Sequence, residues 1–173
     1  MERILFKEEQ RFKQTFFWWL LIISLWLPAV IVGYQLSNEW QNNSDEVLLL
    51  SFVLMFLLSL ALVFTWLFKK MRLLVEVRVD GIWFKFPPML YKWKTIQKEE
   101  IEKFEIREYR PIMEYGGWGI KTRWRNRSTA YNVSGNIGLQ IYLKNGKKIL
   151  LGTQRKQAIE HAMNKLMQTE KIG

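Results

Sequence analysis

The chain has 173 residues and carries 26 Lys and Arg against 16 Asp and Glu, a formal charge of +10, which fits one domain plus an appendage and calls for an anionic partner or surface. It holds no cysteine, which excludes disulfides, thiolate nucleophiles and cysteine-ligated metals.

Residues 1–14 read as a basic tail with Arg3, Lys7, Arg11 and Lys13. Two uncharged runs follow, TFFWWLLIISLWLPAVIVGY at 15–34 and VLLLSFVLMFLLSLALVFTWLF at 47–68. Each is long enough to cross a hydrocarbon core of about 30 Å at about 1.5 Å per residue, so both are expected to be transmembrane helices. The first is too long and bulky for a cleaved signal sequence and has no small-x-small site after it. The loop between them, residues 35–46, has no Lys or Arg but carries Glu39, Asp45 and Glu46, whereas Lys69, Lys70 and Arg72 follow the second run. The positive-inside rule then sets both termini in the cytoplasm and the loop outside. Phe16, Phe17, Trp18, Trp19, Trp66 and Phe68 would form the inner aromatic belt, with Tyr34 and Trp40 at the outer interface. Pro28 is expected to kink the first span. Neither span contains an ionisable residue, so the hairpin reads as an anchor rather than an ion or proton path.

Residues 69–173 read as a separate cytoplasmic domain, with 22 Lys and Arg against 10 carboxylates. Leu73, Val75, Val77 and Val79 alternate up to Asp80-Gly81, and Ile82, Phe84 and Phe86 alternate away from it, which predicts a hairpin centred on Asp-Gly. Pro87-Pro88 should end the second strand. Further strands are expected at 91–96, 101–109, 118–124, 130–134 and 137–143, with a turn at Asn145-Gly146 and a last strand through Ile149 and Leu151. Ala158, Ile159, Ala162, Met163 and Leu166 then recur at helical spacing behind Thr153, a candidate N-cap. The pattern predicts an α+β chain: a two-helix membrane hairpin, then about seven antiparallel strands forming a small barrel or sandwich capped by a C-terminal helix.

The order of strands and helix, GIWFKF after the early Asp-Gly, GGWGI at 116–120, AYNVSGNIGLQIYLKNGKKILLGTQ at 130–154 and FKEEQRF at 6–12 carry a resemblance. Together they are similar to a family of uncharacterised bacterial membrane proteins with two N-terminal spans and a cytoplasmic pleckstrin-homology-like (PH-like) domain. The resemblance covers nearly the whole chain and implies that fold and a plasma-membrane location, but no activity or ligand. The helix start TQRKQAIE departs from the family in lacking a proline in its first turn.

Lys121, Arg123 and Arg125 alternate against Trp118, Ile120, Thr122 and Trp124, with Arg127 following, which predicts a strand with one apolar and one basic face. Two readings stand side by side: a charged, protected sheet edge, or a surface for anionic lipid head groups, each nearby basic residue contributing about 1 kcal/mol. Asn132, Ser134 and Asn136 read as turn chemistry, or as a small polar pocket with Arg123. His161 stands on the terminal helix without a partner of catalytic or metal-ligating type, and no triad, P-loop or paired-acid motif is visible. No enzyme, cofactor or metal is therefore expected. The aromatics alternate inward instead of interleaving with the basic face, which argues against nucleic acid. The expected partners are the bilayer, anionic head groups and a protein; Ser51, Ser59 and Ala61 offer a stripe of small residues for a homo-oligomer.

Overall fold

The computed structural model describes residues 3–12, 15–39, 44–124 and 127–168. They separate into two compact units, a helical one (14–69) and one built from the N-terminal segment through residue 13 together with residues 70 onward.

In the helical unit, α1 (Thr15–Leu21) runs through a π turn at Ile22–Trp26 into α2 (Leu27–Glu39), and α3 (Ser44–Lys70) follows. The π turn is the form the Pro28 effect takes. Proline has no N–H for the Ser24 carbonyl, and its ring would collide with that oxygen in an unbroken α-helix. The turn just before it widens, and the Leu27 N–H reaches five residues back to the Ile22 carbonyl. Segments 18–38 and 45–70 are long and apolar enough to cross a membrane. Their large side chains mostly face outward, as at Trp19, Tyr34, Phe52, Phe56 and Trp66. Trp40 and the side chains of Phe16 and Phe17 lie outside the described residues. Ser51 and Ser59 donate to the carbonyls of Val47 and Phe56 in their own helix, each at 2.7 Å, and Ala61 is buried.

The other unit contains two sheets. β1 (Ile4–Arg11), β2 (Arg72–Arg78), β3 (Gly81–Phe86) and β4 (Leu90–Gln97) form an antiparallel meander in that order. After β5 (Ile101–Glu108) and α4 (Pro111–Tyr115) come β6 (Gly119–Arg123), β7 (Ser128–Asn132), β8 (Ile137–Leu143) and β9 (Lys148–Gly152). They assemble in the order β5-β8-β9-β7-β6. The chain closes with α5 (Lys156–Gln168).

Four expectations are corrected here. First, the segment read as a tail is β1, paired with β2 from Ile4↔Arg78 to Arg11↔Arg72. Its inward positions are Phe6, Glu8, Gln10 and Phe12; two of the four are polar, so the alternation does not look apolar. Second, the β2–β3 turn residues are Val79 and Asp80, since Arg78 pairs with Gly81. Gly81 opens β3 because a Cβ there would stand 2.2 Å from the Ile96 carbonyl oxygen. Third, the described residues form nine strands, not about seven, and the β7–β9 pair is parallel. Fourth, α5 begins at Lys156, and Thr153 instead forms a turn before it, its hydroxyl accepting the Arg155 N–H at 3.1 Å. α4 was not expected either, although Pro111 in its first turn and Gly116 at its C-cap, with φ 72°, are ordinary helix punctuation.

The two sheets face each other, with the rings of Phe84 and Tyr131 4.8 Å apart. Leu73, Ile82, Phe86, Leu139, Ile141 and Leu151, with Ile159, Met163 and Leu166 of α5, are fully buried. Each such side chain stabilises the fold by about 1.5–3 kcal/mol. Both passages to the helical unit lie at the same end of this core, because the β1–β2 ladder continues to Phe12, whose N–H donates to the Met71 carbonyl at 3.4 Å.

Candidate functional site

The inner face of the five-stranded sheet is apolar. Its outer face follows from register. Arg123 pairs with Ser128, Ser128 with Lys148, Lys148 with Tyr142 and Tyr142 with Lys103. Directly paired residues point to the same side of a sheet, so one row crosses all five strands. The next row carries Lys121, Ala130, Leu150, Gln140 and Glu105, and the one after it Gly119, Asn132, Gly152, Gly138 and Arg107. α4 lies over the middle of this face, where Tyr115, Tyr109, Ala130 and Leu150 form a small apolar cluster. The rings of Tyr109 and Tyr115 meet edge to face at 6.1 Å.

Beside that cluster lies a cleft of about 360 Å³, lined by Glu105, Arg107, Glu114, Arg123, Lys148 and four polar neighbours. Arg107 donates to Glu114 at 2.9 Å and to Gln140 at 3.3 Å. Burial pushes the Glu114 carboxyl up, but the Arg107 hydrogen bond, the Arg110 N–H and the charges of Arg107 and Arg123 outweigh it, and the group titrates below its ordinary value. Arg107 is held above its ordinary value: burial lowers it, and the pairing with Glu114 more than compensates. The Tyr142 hydroxyl donates to Glu105 at 2.7 Å. That bond, then burial, pushes the phenol up. Tyr115 and Ser128 share a hydrogen bond at 3.1 Å on the floor.

The expected basic residues are only partly brought together. Lys121 and Arg123 share the outer face, and Arg123 reaches the cleft. Arg127 ends the β6–β7 turn with φ 47°, and Arg125 lies outside the described residues. Trp124, expected on a buried apolar face, is 90 % exposed, and Ile120 is half-buried. β6 is the last strand of its sheet, so no further strand covers that side.

The pocket expected from Arg123, Asn132, Ser134 and Asn136 does not form. Asn132 pairs with Gly119, four residues from Arg123 along β6, or about 13 Å at strand spacing. Asn132 is fully buried; its Oδ1 accepts the Gly119 N–H at 3.0 Å and its Nδ2 donates to the Tyr109 hydroxyl at 2.9 Å. Ser134 accepts from Gln154 at 2.6 Å, and the Asn136 carbonyl accepts the Tyr109 N–H at 2.8 Å. These residues hold the fold. Glu105, Arg107, Glu114, Tyr142 and Lys148 were not singled out from sequence. The period-two polar set Lys103, Glu105, Arg107 was the available signal, but the strand order that joins it to Arg123 is not local.

The site lies at the end of the five-stranded sheet opposite Gly152. Gln10, next to the last residue of β1, donates to the Gly152 carbonyl at 2.5 Å, so the Gly152 end of β9 adjoins the end of β1. At the other end of the sheet, Lys144 donates to the Glu100 carbonyl at 3.0 Å, and Lys98 donates to that of Asp80 at 3.1 Å. The Arg123–Ser128–Lys148 row belongs to that far end. His161 is exposed on α5, and the described residues contain no cluster of three metal-ligating side chains. No family model, curated protein or solved structure matches the chain.

Proposed function

We propose that this chain is a membrane-anchored, non-catalytic binding module. Two helices fix it in the bacterial plasma membrane with both termini cytoplasmic, and a PH-like domain offers the outer face of its five-stranded sheet to an anionic partner. The anchor rests on two helices that are apolar all round and uncovered on most of their surface. The cytoplasmic side rests on the charge asymmetry of the flanks. The PH-like reading is supported by topology. Without the β6–β7 hairpin, the strands run β1-β2-β3-β4 and β5-β8-β9, four and three antiparallel strands closed by a helix.

The cleft carries the binding reading. A concave site with a few convergent polar groups is the usual form of a recognition surface, and this one lies on a face that α4 covers only in part. Photo-cross-linking in cells from a position at the cleft rim tests it. Adducts of the full chain should disappear in the double variant Arg123→Gln/Lys148→Gln while expression and membrane insertion are unchanged. An identical adduct set from both would contradict it.

A second reading, homo-oligomerisation through the helices, is favoured by a groove of about 410 Å³ lined by Leu36, Ser51, Leu54, Met55, Leu58, Ser59 and Leu62. With both serine hydroxyls bonded to their own helix, the groove is apolar and open to a neighbouring side chain. A monomeric mass in mild detergent would remove this reading.

A further inference from the structure

The charges of the cleft do not all cancel one another. Glu114 is held by Arg107, and Glu105 by the Tyr142 hydroxyl. Arg123 and Lys148 have no ion pair among the described residues; Lys148 stands over the Tyr142 ring at 5.2 Å. The two flank Ser128 in one row across three adjacent strands. Strands lie about 4.8 Å apart, so the two Cα atoms are about 10 Å from each other, and both side chains can reach a point above Ser128. Ser128 is 5 % exposed and Tyr115 9 %. Their shared hydrogen bond uses one hydroxyl proton, since either oxygen can be the donor. The other proton is left to donate into the cleft.

Resting on the reading of this face as the recognition surface, we propose that the cleft binds a phosphate monoester, with Arg123 and Lys148 on its charged oxygens and the Tyr115–Ser128 pair donating from below. The chemistry selects this class. Glu105 keeps its charge beside the neutral Tyr142 hydroxyl, so Arg107, Arg123 and Lys148 against Glu105 and Glu114 leave the cleft one positive charge in excess. The spread of donors over three adjacent strands, rather than charge matching, selects an anion with several acceptor oxygens. Charge-assisted hydrogen bonds from two sides suit a tetrahedral anion with several acceptors. The volume of about 360 Å³ exceeds that of a phosphate and leaves room for the organic part of the ester.

The same chemistry is offered by a soluble phosphate ester and by a monoester lipid head group, and two arms of one experiment separate them. The full chain is placed in phosphatidylcholine nanodiscs. In the first arm inorganic phosphate is titrated and binding is followed by ³¹P line broadening. In the second, co-flotation with vesicles of phosphatidylcholine containing one-tenth phosphatidic acid is measured with and without competing phosphate. Saturable binding in either arm, weakened about tenfold or more by Arg123→Gln and by Lys148→Gln but unchanged by Lys144→Gln, supports the proposal; the factor corresponds to losing one charge-assisted hydrogen bond. Binding in the first arm alone assigns a soluble ester, and flotation that phosphate competes away assigns the head group. Lys144→Gln makes the same charge change on the β8–β9 turn, outside the cleft lining. If it weakens binding as much as the other two, attraction is only diffuse and the proposal fails. Absence of binding in both arms also overturns it. Loss of the cross-linked adducts in the double variant would then still stand as support for the face itself, with a different ligand.

Discussion

The Glu8 carboxylate accepts the Thr153 hydroxyl at 2.7 Å, joining the first strand to the turn that opens the last helix. Its second oxygen accepts the Gln154 N–H at 2.8 Å. Gln10 bonds Gly152 alongside, so β1 is a working part of the core, although the helical unit interrupts the chain directly after it. The helical segment is an insertion between adjacent strands. Paired neighbours must lie on one side of a membrane, which requires an even number of crossings between Phe12 and Met71. Two satisfies it.

Deleting residues 1–12 should therefore expose the β2 edge, orphan the Thr153 and Gln154 donors and abolish cooperative unfolding of residues 70–168. Joining residues 3–12 to 70–168 through a short Gly/Asn turn should restore it, because Phe12 and Met71 are already hydrogen-bonded neighbours. In the full chain, Glu8→Ala should destabilise this unit by about 2–4 kcal/mol, the loss of two hydrogen bonds to a buried carboxylate. Urea unfolding followed by near-UV circular dichroism reads both effects. Residues 70–168 that unfold as cooperatively alone as in the joined form would contradict the account.

Acid should weaken the same unit. Burial pushes the Glu76 carboxyl up, but hydrogen bonds from Arg78 and Lys7 and their charges outweigh it, so the group titrates below its ordinary 4.5. Glu9 is lowered in the same way by Arg11 and Arg72, and Glu114 by Arg107. A carboxylate depressed in the folded state contributes stability that is full above the unfolded value, about 4.5, and is lost as pH falls through the folded one. Unfolding midpoints should hold from pH 7 to about 5 and drop below about 4.5. Glu76→Gln should cost about 1–3 kcal/mol at pH 7 and flatten the acid slope. An unchanged slope in that variant would show that Glu76 is not a source of it.

Asn132 separates the pocket expected from sequence from the structural role observed. Asn132→Ala leaves the buried Gly119 N–H and Tyr109 hydroxyl without partners, a loss of about 2–4 kcal/mol. Phosphate affinity, measured where the variant is still folded, should stay within about twofold of the parent, because the residue pairs with Gly119, at the other end of β6 from Arg123. A selective loss of affinity at unchanged stability would return Asn132 to the site.

What the sequence made legible followed the strength of local periodicity. The two apolar runs, the alternation of β2 and β3 and the helical spacing of Ile159, Ala162, Met163 and Leu166 mark elements found where expected. β1 was hidden because Glu8 and Gln10 occupy inward positions that only the distant Thr153, Gln154 and Gly152 can satisfy. Trp124 was misassigned because it follows the last residue of β6, in the turn to β7, where strand alternation no longer applies. Arg123 was singled out for its charge. Lys148 and Tyr142 were not, since only the β6-β7-β9-β8 order brings them into its row.

The central claim is a membrane hairpin that returns the chain to the unit it left, and impermeant thiol labelling tests it most directly, since the native chain has no cysteine. Single cysteines are placed at Lys7 in β1, at Asn42 between the two helices and at Lys147 in the β8–β9 turn, and intact bacteria expressing each full-length variant are labelled before and after permeabilisation. The account predicts that Asn42→Cys is labelled in intact cells, and that Lys7→Cys and Lys147→Cys are labelled only once the membrane is opened. Labelling of Lys7→Cys and Lys147→Cys from opposite sides, or of all three from one side, would contradict it.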